Sequence, residues 1–436
     1  MRRGLPFALI LAVGCGQREP PDVPLPQPQP PAATPRPVPR TAGPTVPLQG
    51  PIGAPFAAGP EIRIGLLVDV PRATLGGGGA LVIRSAEGGS GLIVPAGRTA
   101  ALSLAGGRIL VETDDAHRQL SGPLTIGPAE VGGFVRAGGR DHRGTLEVRR
   151  DEEGLTLIAR LSFETYLGGV VAAELGVQDS DVIEALKAQA VIARTYAVKN
   201  LGRNRRQGFD LLATVSDQRY DGVSGETPAA WRALSATKGQ VVTWRGAPID
   251  AFFHSTCGGR TASGAEVFTY ADRPYLRSIS DLDPSGLAWC RESPRFHWEQ
   301  SWDAQALTAA LQRGGLRLTA DEASFVRSIE ATDRTTSGRV TRLRVRLRGR
   351  DVVIEGSNAI RRTLPPPDLD LLRSATFTLT TRNAGERIGQ LTLAGQGSGH
   401  GVGLCQWGAI GRARAGRSFT EILAAFYPGT QLDHRW

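Results

Sequence analysis

The stretch Phe163–Asn200, FETYLGGVVAAELGVQDSDVIEALKAQAVIARTYAVKN, decides the fold of this chain. Its spacing predicts two helices joined by a short turn. In the first helix, Phe163, Leu167 and Val170 are four and three residues apart, which places them on one apolar stripe. The next position on that stripe is Glu174, where the pattern calls for an apolar side chain.

The second helix of this stretch is predicted from a start signal and an apolar stripe. Asp181 and the residue three positions later, Glu184, are typical of a capping box. The small side chains of the stripe permit close approach of a neighbouring backbone, so we predict a central, Ala-rich helix. The stripe consists of Ile183, Leu186, Ala190, Ala193 and Ala197.

Glu174 allows two interpretations. On spacing alone, the simpler one is that the helix ends there and the carboxylate turns to solvent before Gly176. If the side chain is instead buried, desolvation raises its pKa and keeps it protonated near neutral pH, as a general acid requires. Arg194 allows three interpretations. It could bind an anionic substrate, pair with a carboxylate, or lie on the outer face of an Ala-rich helix.

The rest of the chain alternates short strand patterns with a few helices, which predicts an α+β fold. Residues 61–143 carry short β-like runs set off by Gly or Pro and form a predicted β-rich region. Residues 144–436 form the predicted main domain, a mixed β-sheet around the central helix pair. It begins with a hairpin over Gly144–Leu161, and Ser418 with Glu421 predicts a capped C-terminal helix.

The first sixty residues are predicted to be a targeting segment and a tether. Residues 1–15 combine two arginines with a short apolar stretch ending in LAVGC, which is typical of a lipoprotein signal peptide with Cys15 as the lipidated residue. The alternative is an ordinary cleaved signal peptide. Residues 16–60 are rich in proline, which favours an extended, semi-rigid tether. We therefore expect an exported protein anchored to a membrane and facing the periplasm or cell wall.

The remaining cysteines allow a disulfide or a metal site. Cys257 and Cys290 flank one loop, and two such residues in an oxidising compartment favour a disulfide. The alternative is a metal site, in which His254 and Cys257 form an HxxC pair and Cys290 is a third ligand. Cys405 is then left over, and we expect it to be buried beside Trp407.

A Gly-rich stretch near the C-terminus, GSGHGVGLCQWG at 397–408, supplies a backbone that can approach another strand or a ligand closely. His400, Gln406 and Trp407 within it offer hydrogen bonds and a flat face suited to a sugar ring. The alternative is a bend that packs against the central helix. Ser255 and Thr256, after the strand-like run IDAFFHST, are open to the same two interpretations.

Several segments in order resemble the stage II sporulation protein D family. They are YLGGVVAAE, EALKAQAVIARTYA, FFHSTCGGRTASGAEVF, PYLRSISD and the Gly-rich stretch with the helix that follows it, and they cover roughly residues 145–430. The resemblance implies a peptidoglycan lytic transglycosylase that acts on glycan strands stripped of stem peptides. It implies that Glu174 is the catalytic acid, and that the Gly-rich stretch lines the site.

From these patterns we predict substrate-binding roles for Arg194, Tyr196, Ser255, Thr256, His400, Gln406 and Trp407. The expected reaction requires no metal or cofactor. Proteins of related sequence enhance a separate peptidoglycan amidase without cleaving anything, so an amidase is the expected partner in that alternative. The net charge of +9 suits an anionic glycan, and export argues against nucleic acid.

Overall fold

The computed structural model describes residues 59–88, 91–152, 154–176 and 180–436. The predicted signal segment with Cys15 lies outside the described residues, as does the predicted tether as far as residue 58. Within the described ranges, the structure contains no helix that is long and apolar enough to cross a membrane.

The strands are numbered in chain order. They are β1 Glu61–Val70, β2 Arg72–Gly76, β3 Leu81–Ser85, β4 Leu92–Val94, β5 Thr99–Ala105, β6 Arg108–Glu112, β7 His117–Leu120, β8 Leu124–Pro128, β9 Val135–Ala137, β10 Arg140–His142, β11 Thr145–Arg150, β12 Leu155–Ser162, β13 Leu211–Leu212, β14 Gln240–Trp244, β15 Ala247–Pro248, β16 Phe253–His254, β17 His297–Asp303, β18 Val326–Arg334, β19 Val340–Leu347, β20 Asp351–Glu355, β21 Phe377–Ala384, β22 Arg387–Gln396, β23 Leu404–Cys405 and β24 Gln431–His434.

The helices are numbered in the same way. They are α1 Phe163–Gly168, α2 Val171–Leu175, α3 Ile183–Lys199, α4 Pro228–Ala236, α5 Gly264–Val267, α6 Ala304–Arg313, α7 Ala320–Ser324, α8 Ser357–Thr363, α9 Gln406–Arg414 and α10 Phe419–Phe426. Together with the strands, they confirm the predicted α+β class.

Two β-sheets form the N-terminal part of the described chain. One has the strand order β13-β1-β12-β11-β8-β3-β4, and the other has the order β10-β9-β2-β5-β6-β7. The predicted hairpin is confirmed as β11 and β12. However, β1 pairs with β12 along its whole length, from Glu61 opposite Ser162 to Val70 opposite Leu155. The boundary predicted between residues 143 and 144 therefore cuts through one sheet, and the structure does not divide there.

Helix α3 occupies the centre of the larger core, as its alanines predict. It packs against α4, α9, α10 and β14, and its side chains Ala190, Ala193 and Ala197 are fully buried. The predicted capping box at its start is wrong. A 3-10 turn over Ser180–Val182 leads into the helix, and no side chain caps it. The two acidic side chains are engaged elsewhere: Asp181 accepts from Arg414 and Glu184 from Lys187.

The helix predicted to run from Phe163 to Glu174 is two short helices, α1 and α2. The break falls at two glycines, which pack too closely against neighbouring segments to carry side chains. A Cβ on Gly168 would lie 2.5 Å from Trp231, and one on Gly169 would lie 2.6 Å from Tyr220. The apolar stripe nevertheless survives the break, since Phe163, Leu167 and Val170 are all fully buried.

A second hydrophobic core lies within residues 298–393 and is separate from the core around α3. It joins the sheets β17-β22-β21 and β18-β19-β20 with α6 and α8. The sequence gave no reason to separate these elements from the predicted main domain over residues 144–436.

The strand-like run IDAFFHST pairs with a segment that is distant in sequence. Its central part, β16, is parallel to β23, with Phe253 opposite Leu404 and His254 opposite Cys405. This pairing brings the HSTC run and the Gly-rich stretch together although they are about 150 residues apart in sequence. The C-terminal helix α10 begins with the predicted capping box of Ser418 and Glu421.

Candidate active site

Glu174 lies near the end of α2 at the surface of the larger core. Its carboxylate oxygen Oε1 accepts a hydrogen bond from the backbone N–H of Arg219 at 2.5 Å. Its backbone carbonyl accepts from the side-chain amide of Gln406 at 3.1 Å. The side chain is partly buried, whereas Gly176 and Arg219 beside it are exposed. Glu174 is therefore fixed at both its backbone and its carboxylate, next to an open surface.

The environment of Glu174 raises the pKa of its carboxyl group to about 7. Burial is the main cause, because it disfavours the charged form. The Arg219 N–H and the charge of Arg219 act in the opposite direction, and the nearby carboxylate of Asp221 raises the pKa further. Near neutral pH the group therefore exchanges a proton readily, which suits a general acid that must also act as a base.

The segment that holds the Glu174 carboxylate, residues 217–222, was not predicted as part of the site. The guanidinium of Arg219 pairs with Asp221 at 2.7 Å, and the N–H of Asp221 donates to the carbonyl of Gly169. Tyr220 of the same segment is buried against Tyr166 of α1. The only signal in the sequence is the charged, Gly-terminated run DQRYDG, which by itself is typical of an ordinary surface turn.

Gln406 reaches Glu174 because of how the Gly-rich stretch is held. A Cβ on Gly403 would lie 2.0 Å from the carbonyl oxygen of Phe252, so this close strand approach requires glycine. Strand β23 then leads directly into α9, whose first turn is capped by the sulfur of Cys405 accepting from Gly408 N–H. Gln406 is the first residue of that helix. Gln406 therefore lies next to Glu174, as expected if the Gly-rich stretch lines the site.

His400 is held inside the protein rather than presented to a substrate. Its Nε2 lies 2.9 Å from the carbonyl oxygen of Phe253, and its Nδ1 accepts from the N–H of Val402 at 3.1 Å. Its ring also packs against Phe252 and Phe268. Burial, reinforced by the charge of Arg361, lowers the pKa of His400 to about 3. These contacts favour a structural role for His400, and its binding of substrate, expected from its position in the Gly-rich stretch, stays a prediction.

We therefore expect His400→Ala to destabilise the fold. The substitution leaves the carbonyl of Phe253 and the N–H of Val402 without their partner, which costs about 1–3 kcal/mol for each buried polar group. Because the folded pKa is depressed, neutral His400 stabilises the protein fully above about pH 6.5, and this contribution is lost as the pH falls toward 3. Thermal melts at several pH values measure both effects.

His434→Ala provides the matched control, because His434 lies exposed on β24. We expect little change in its melting temperature. A His400→Ala variant that melts like the wild type but loses activity would restore His400 to the substrate site.

The other predicted residues of the HSTC run and of α9 divide into exposed and buried groups. Thr256 is buried, and its hydroxyl lies 2.7 Å from that of Ser293, so it does not face a ligand. Ser255 is partly exposed, and its carbonyl accepts from the N–H of Trp407 at 3.0 Å. Trp407 is partly buried against the larger core. Ser255 and Trp407 thus remain next to Gln406 and Cys405.

The two predicted substrate-binding residues of α3 are engaged within the fold. Arg194 and Glu164 of α1 are both fully buried and form a bidentate pair, with Nε–Oε1 and Nη2–Oε2 distances of 2.8 and 2.7 Å. Of the interpretations open in the sequence, carboxylate pairing is therefore the one present, and the buried pair leaves the guanidinium without exposure to a substrate in this structure. Tyr196 donates its hydroxyl to Asp217 at 2.8 Å and accepts from Arg203, which ties it to the loop after α3.

The three cysteines of the described chain lie together as free, buried thiols. The sulfurs of Cys257 and Cys290 are 3.6 Å apart, which is beyond bonding distance, so the predicted disulfide is not formed in this structure. Cys405 is buried as predicted, but it is not left over: it accepts from the N–H of Cys257 at 3.2 Å. His254 of the alternative metal set donates its Nδ1–H to the carbonyl oxygen of Val402 at 3.1 Å instead of joining the thiols.

Two open pockets on the described part of the chain are not lined by Glu174. One of about 440 Å³ is bordered by Trp289 and Arg412, and another of about 490 Å³ lies in the second core beside Leu307 and Arg387. Glu174 itself is partly buried, and it lies beside the exposed residues Gly176 and Arg219.

Comparison with known proteins shows which family this chain is similar to. The model of the stage II sporulation protein family matches residues 151–244, which contain α1, α2, Glu174 and α3. Stage II sporulation protein D of Bacillus amyloliquefaciens is 30% identical over 295 residues, which cover 63% of this chain and 75% of that protein. The chain belongs to the stage II sporulation protein D family. The resemblance inferred from the separate sequence motifs is thereby confirmed.

Other similarities extend this family membership. An uncharacterised protein of Brachyspira hyodysenteriae is 29% identical over 295 residues, covering 67% of this chain and 73% of the relative. The amidase enhancer of Bacillus subtilis is 29% identical over 291 residues, and the match spans 40% of its length. A domain of unknown function (DUF8618) matches residues 287–403 and so encloses the second core.

Proposed function

We propose that this member of the stage II sporulation protein D family is a lytic transglycosylase that cleaves peptidoglycan glycan strands stripped of stem peptides. The observation that carries the proposal is Glu174. It combines a pKa raised to about 7 with a carboxylate oriented by the Arg219 N–H and a backbone held by Gln406. A group that titrates near neutral pH at an open surface suits acid catalysis on a polymer.

In the proposed reaction, Glu174 protonates the glycosidic oxygen between N-acetylmuramic acid and N-acetylglucosamine. The bond from the muramic C1 to that oxygen breaks, and an oxocarbenium-like centre develops at C1. The Glu174 carboxylate then accepts the proton of the C6 hydroxyl as its oxygen bonds to C1. The product is a 1,6-anhydro sugar, no water is consumed, and the proton returns to Glu174.

One carboxylate is sufficient because the nucleophile belongs to the substrate, which makes the attack intramolecular. This differs from glycosidases that use two carboxyl groups. An acid close enough to act on Glu174, Asp221, is paired with Arg219 at 2.7 Å and lies 3.4 Å from Arg140. We assign Asp221 to orienting Arg219 and raising the pKa of Glu174, and not to nucleophilic attack.

Localisation is part of the same proposal. Lipidation at Cys15 would anchor the chain to a membrane, and the proline-rich residues 16–60 would hold the folded part at a distance from it. Such an arrangement gives the open surface around Glu174 access to the wall. Radiolabelled fatty-acid incorporation, compared between the wild type and Cys15→Ala, tests the anchor separately from the activity.

Mass spectrometry of denuded glycan strands, incubated with the purified protein, tests the activity itself. We expect fragments that end in 1,6-anhydro-muramic acid. Hydrolysed, non-anhydro ends would show a different glycosidase mechanism, and intact glycan would remove the enzymatic proposal.

The second candidate function is enhancement of a peptidoglycan amidase, and the observation that favours it is the similarity to a protein named amidase enhancer. In that case the chain binds the wall and stimulates a separate amidase without cleaving glycan. Adding this protein to a purified amidase with intact peptidoglycan distinguishes the two. Stimulation that persists in Glu174→Gln, without anhydro products from the wild type, would favour the enhancer.

A further inference from the structure

Four buried side chains converge behind the candidate active site, and the proposed reaction uses none of them. They are Cys257, Asp281, Cys290 and Cys405, and one ligand atom from each lies within 4.8 Å of those of the others. We propose that these four side chains bind one zinc ion in a closed, structural site. Three thiolates and a carboxylate are ligands that zinc accepts in four-coordinate sites.

The distances fit a metal better than a disulfide. Tetrahedral zinc with Zn–S bonds of about 2.3 Å places neighbouring sulfurs about 3.8 Å apart, whereas a disulfide requires about 2.0 Å. The sulfurs of Cys257 and Cys290 are 3.6 Å apart. The carboxylate oxygen Oδ2 of Asp281 lies 3.2 Å from the Cys257 sulfur. Closing these contacts around an ion therefore needs little movement.

Backbone N–H groups point at the sulfurs, as they do where thiolates are stabilised. The sulfur of Cys405 accepts from the N–H of Cys257 and from the N–H of Gly408, each at 3.2 Å. The sulfur of Cys257 accepts from the N–H of Gly259 at 3.3 Å. Hydrogen bonds of this kind favour the deprotonated sulfur that a metal needs. A disulfide between two of the cysteines would not use this arrangement around the third.

Two arginines supply the charge that such a site requires. Three thiolates, one carboxylate and one Zn²⁺ leave a net charge of minus two. Arg412 bonds to the other oxygen of Asp281, Oδ1, with its Nη2 at 3.0 Å. Arg339 is buried within electrostatic range of Cys257 and Cys405, and its Nε and Nη1 have no hydrogen-bond partner among the described residues. An unpaired buried cation is costly unless compensating charge is near.

The ligand set differs from the one that the sequence spacing indicated. The imidazole Nδ1 of His254 lies 3.1 Å from the carbonyl oxygen of Val402, and the ring is not among the four converging groups. Asp281 and Cys405 take its place. The sequence spacing did not indicate either of them, because the fold brings both to Cys257 from other segments of the chain.

The proposed ion would connect three segments that shape the candidate active site. Cys257 follows Ser255, Asp281 and Cys290 bracket one loop, and Cys405 caps helix α9. The next residue, Gln406, donates to the Glu174 carbonyl. Zinc would thus hold the start of α9 in place, so that Gln406 remains against the helix that carries Glu174. Its function would be to position these residues, and no chemical step would pass through it.

Metal analysis of the full-length protein, produced in zinc-supplemented medium, tests the proposal whatever the catalytic activity proves to be. We expect about one zinc per chain, and alkylation of Cys257, Cys290 and Cys405 only after the metal is chelated. A Cys257–Cys290 disulfide in a non-reduced peptide map, without zinc, would overturn the proposal. So would three reactive thiols in a protein that takes up no zinc after supplementation.

Variants then identify the ligands. Asp281→Asn removes the carboxylate charge at nearly constant shape, and we expect zinc to be lost on dialysis against a weak chelator. Arg412→Gln should weaken zinc binding by about 10- to 100-fold, as is usual when the partner of a ligand is removed. His254→Gln is the matched control and should retain the metal. Zinc retained by Asp281→Asn but lost from His254→Gln would assign the site to the HxxC pair instead.

Cobalt substitution in the wild type covers the case in which a variant fails to fold. Zinc-depleted protein that takes up Co²⁺ should show strong near-ultraviolet absorption from thiolate-to-cobalt charge transfer. Bound cobalt without that absorption would exclude the three sulfurs as ligands.

Discussion

Glu174→Gln should reduce formation of 1,6-anhydro-muramic ends by about a hundredfold or more. The amide keeps the shape of the side chain and can still accept the hydrogen bond from Arg219 N–H. It cannot donate the proton to the glycosidic oxygen or take one from the C6 hydroxyl. The measurement is the initial rate of product formation on denuded glycan, followed by mass spectrometry.

The pH dependence of the wild type gives a second test of the same assignment. An acid with a pKa of about 7 is protonated below that value, so the rate limited by proton donation should fall as the pH rises above about 7. If the acid had an ordinary carboxyl pKa, the rate would already fall as the pH rises through about 4 to 5. Near wild-type activity in Glu174→Gln would show that Glu174 is not the acid.

Stability measurements show whether any loss in Glu174→Gln is chemical rather than structural. Because the folded pKa of Glu174 is raised from 4.5 to about 7, its contribution to stability is present below about pH 4.5 and is lost as the pH rises through 7. The Gln variant has no such loss. We therefore expect it to match the wild type at about pH 4.5 and to exceed it at about pH 8, by on the order of 2 kcal/mol.

Glu421→Gln is a suitable control for the general effect of removing a carboxylate. Its carboxylate accepts from the N–H and hydroxyl of Ser418, which lowers the pKa of Glu421. The sign of the pH effect is therefore opposite: this variant should be less stable than the wild type at neutral pH. Parallel behaviour of the two variants would contradict the burial assigned to Glu174.

Local patterns in the sequence predicted the elements around the site well, because these patterns report burial directly. The Ala-rich stripe of α3 and the capping box of Ser418 and Glu421 follow from side-chain size and local hydrogen bonds. The capping box at Asp181 failed because Asp181 pairs with the distant Arg414, while Glu184 accepts from Lys187 and from the N–H of Phe419. The pattern of a local hydrogen bond cannot reveal a competitor distant in sequence, such as Arg414.

The parts of the candidate site that could not be predicted depend on contacts between distant segments. Arg219 acts on Glu174 through its backbone N–H, which any residue type except proline possesses. Histidine is a residue type that often binds ligands. Only the pairing of β16 with β23 shows that the ring nitrogens of His400 are already bonded. The same pairing adds Cys405 to the two cysteines that the sequence had placed together.

The buried pair Glu164–Arg194 has the largest expected effect on stability. Its two side chains are fully inaccessible to solvent, and they join α1 to α3. The remaining groups of the pair are also satisfied: Arg194 donates to the carbonyl of Gln240 at 3.1 Å, and Glu164 accepts weakly from the N–H of Gly239 at 3.4 Å. The pair therefore connects the two helices around Glu174 with the start of β14.

Glu164→Gln should destabilise the protein by about 3–5 kcal/mol, because it leaves the Arg194 guanidinium buried without a counter-charge. Asp114→Asn is the matched control: it makes the same change of carboxylate to amide in the pair with Arg98, which also has a 2.7 Å contact but is exposed on both sides. Denaturant unfolding should show little change for the control. Replacing both buried partners, as in Glu164→Leu with Arg194→Met, should recover part of the loss, since no uncompensated charge remains. If Arg194 instead contacts substrate, Arg194→Met alone would lower activity while the unfolding midpoint stays at the wild-type value.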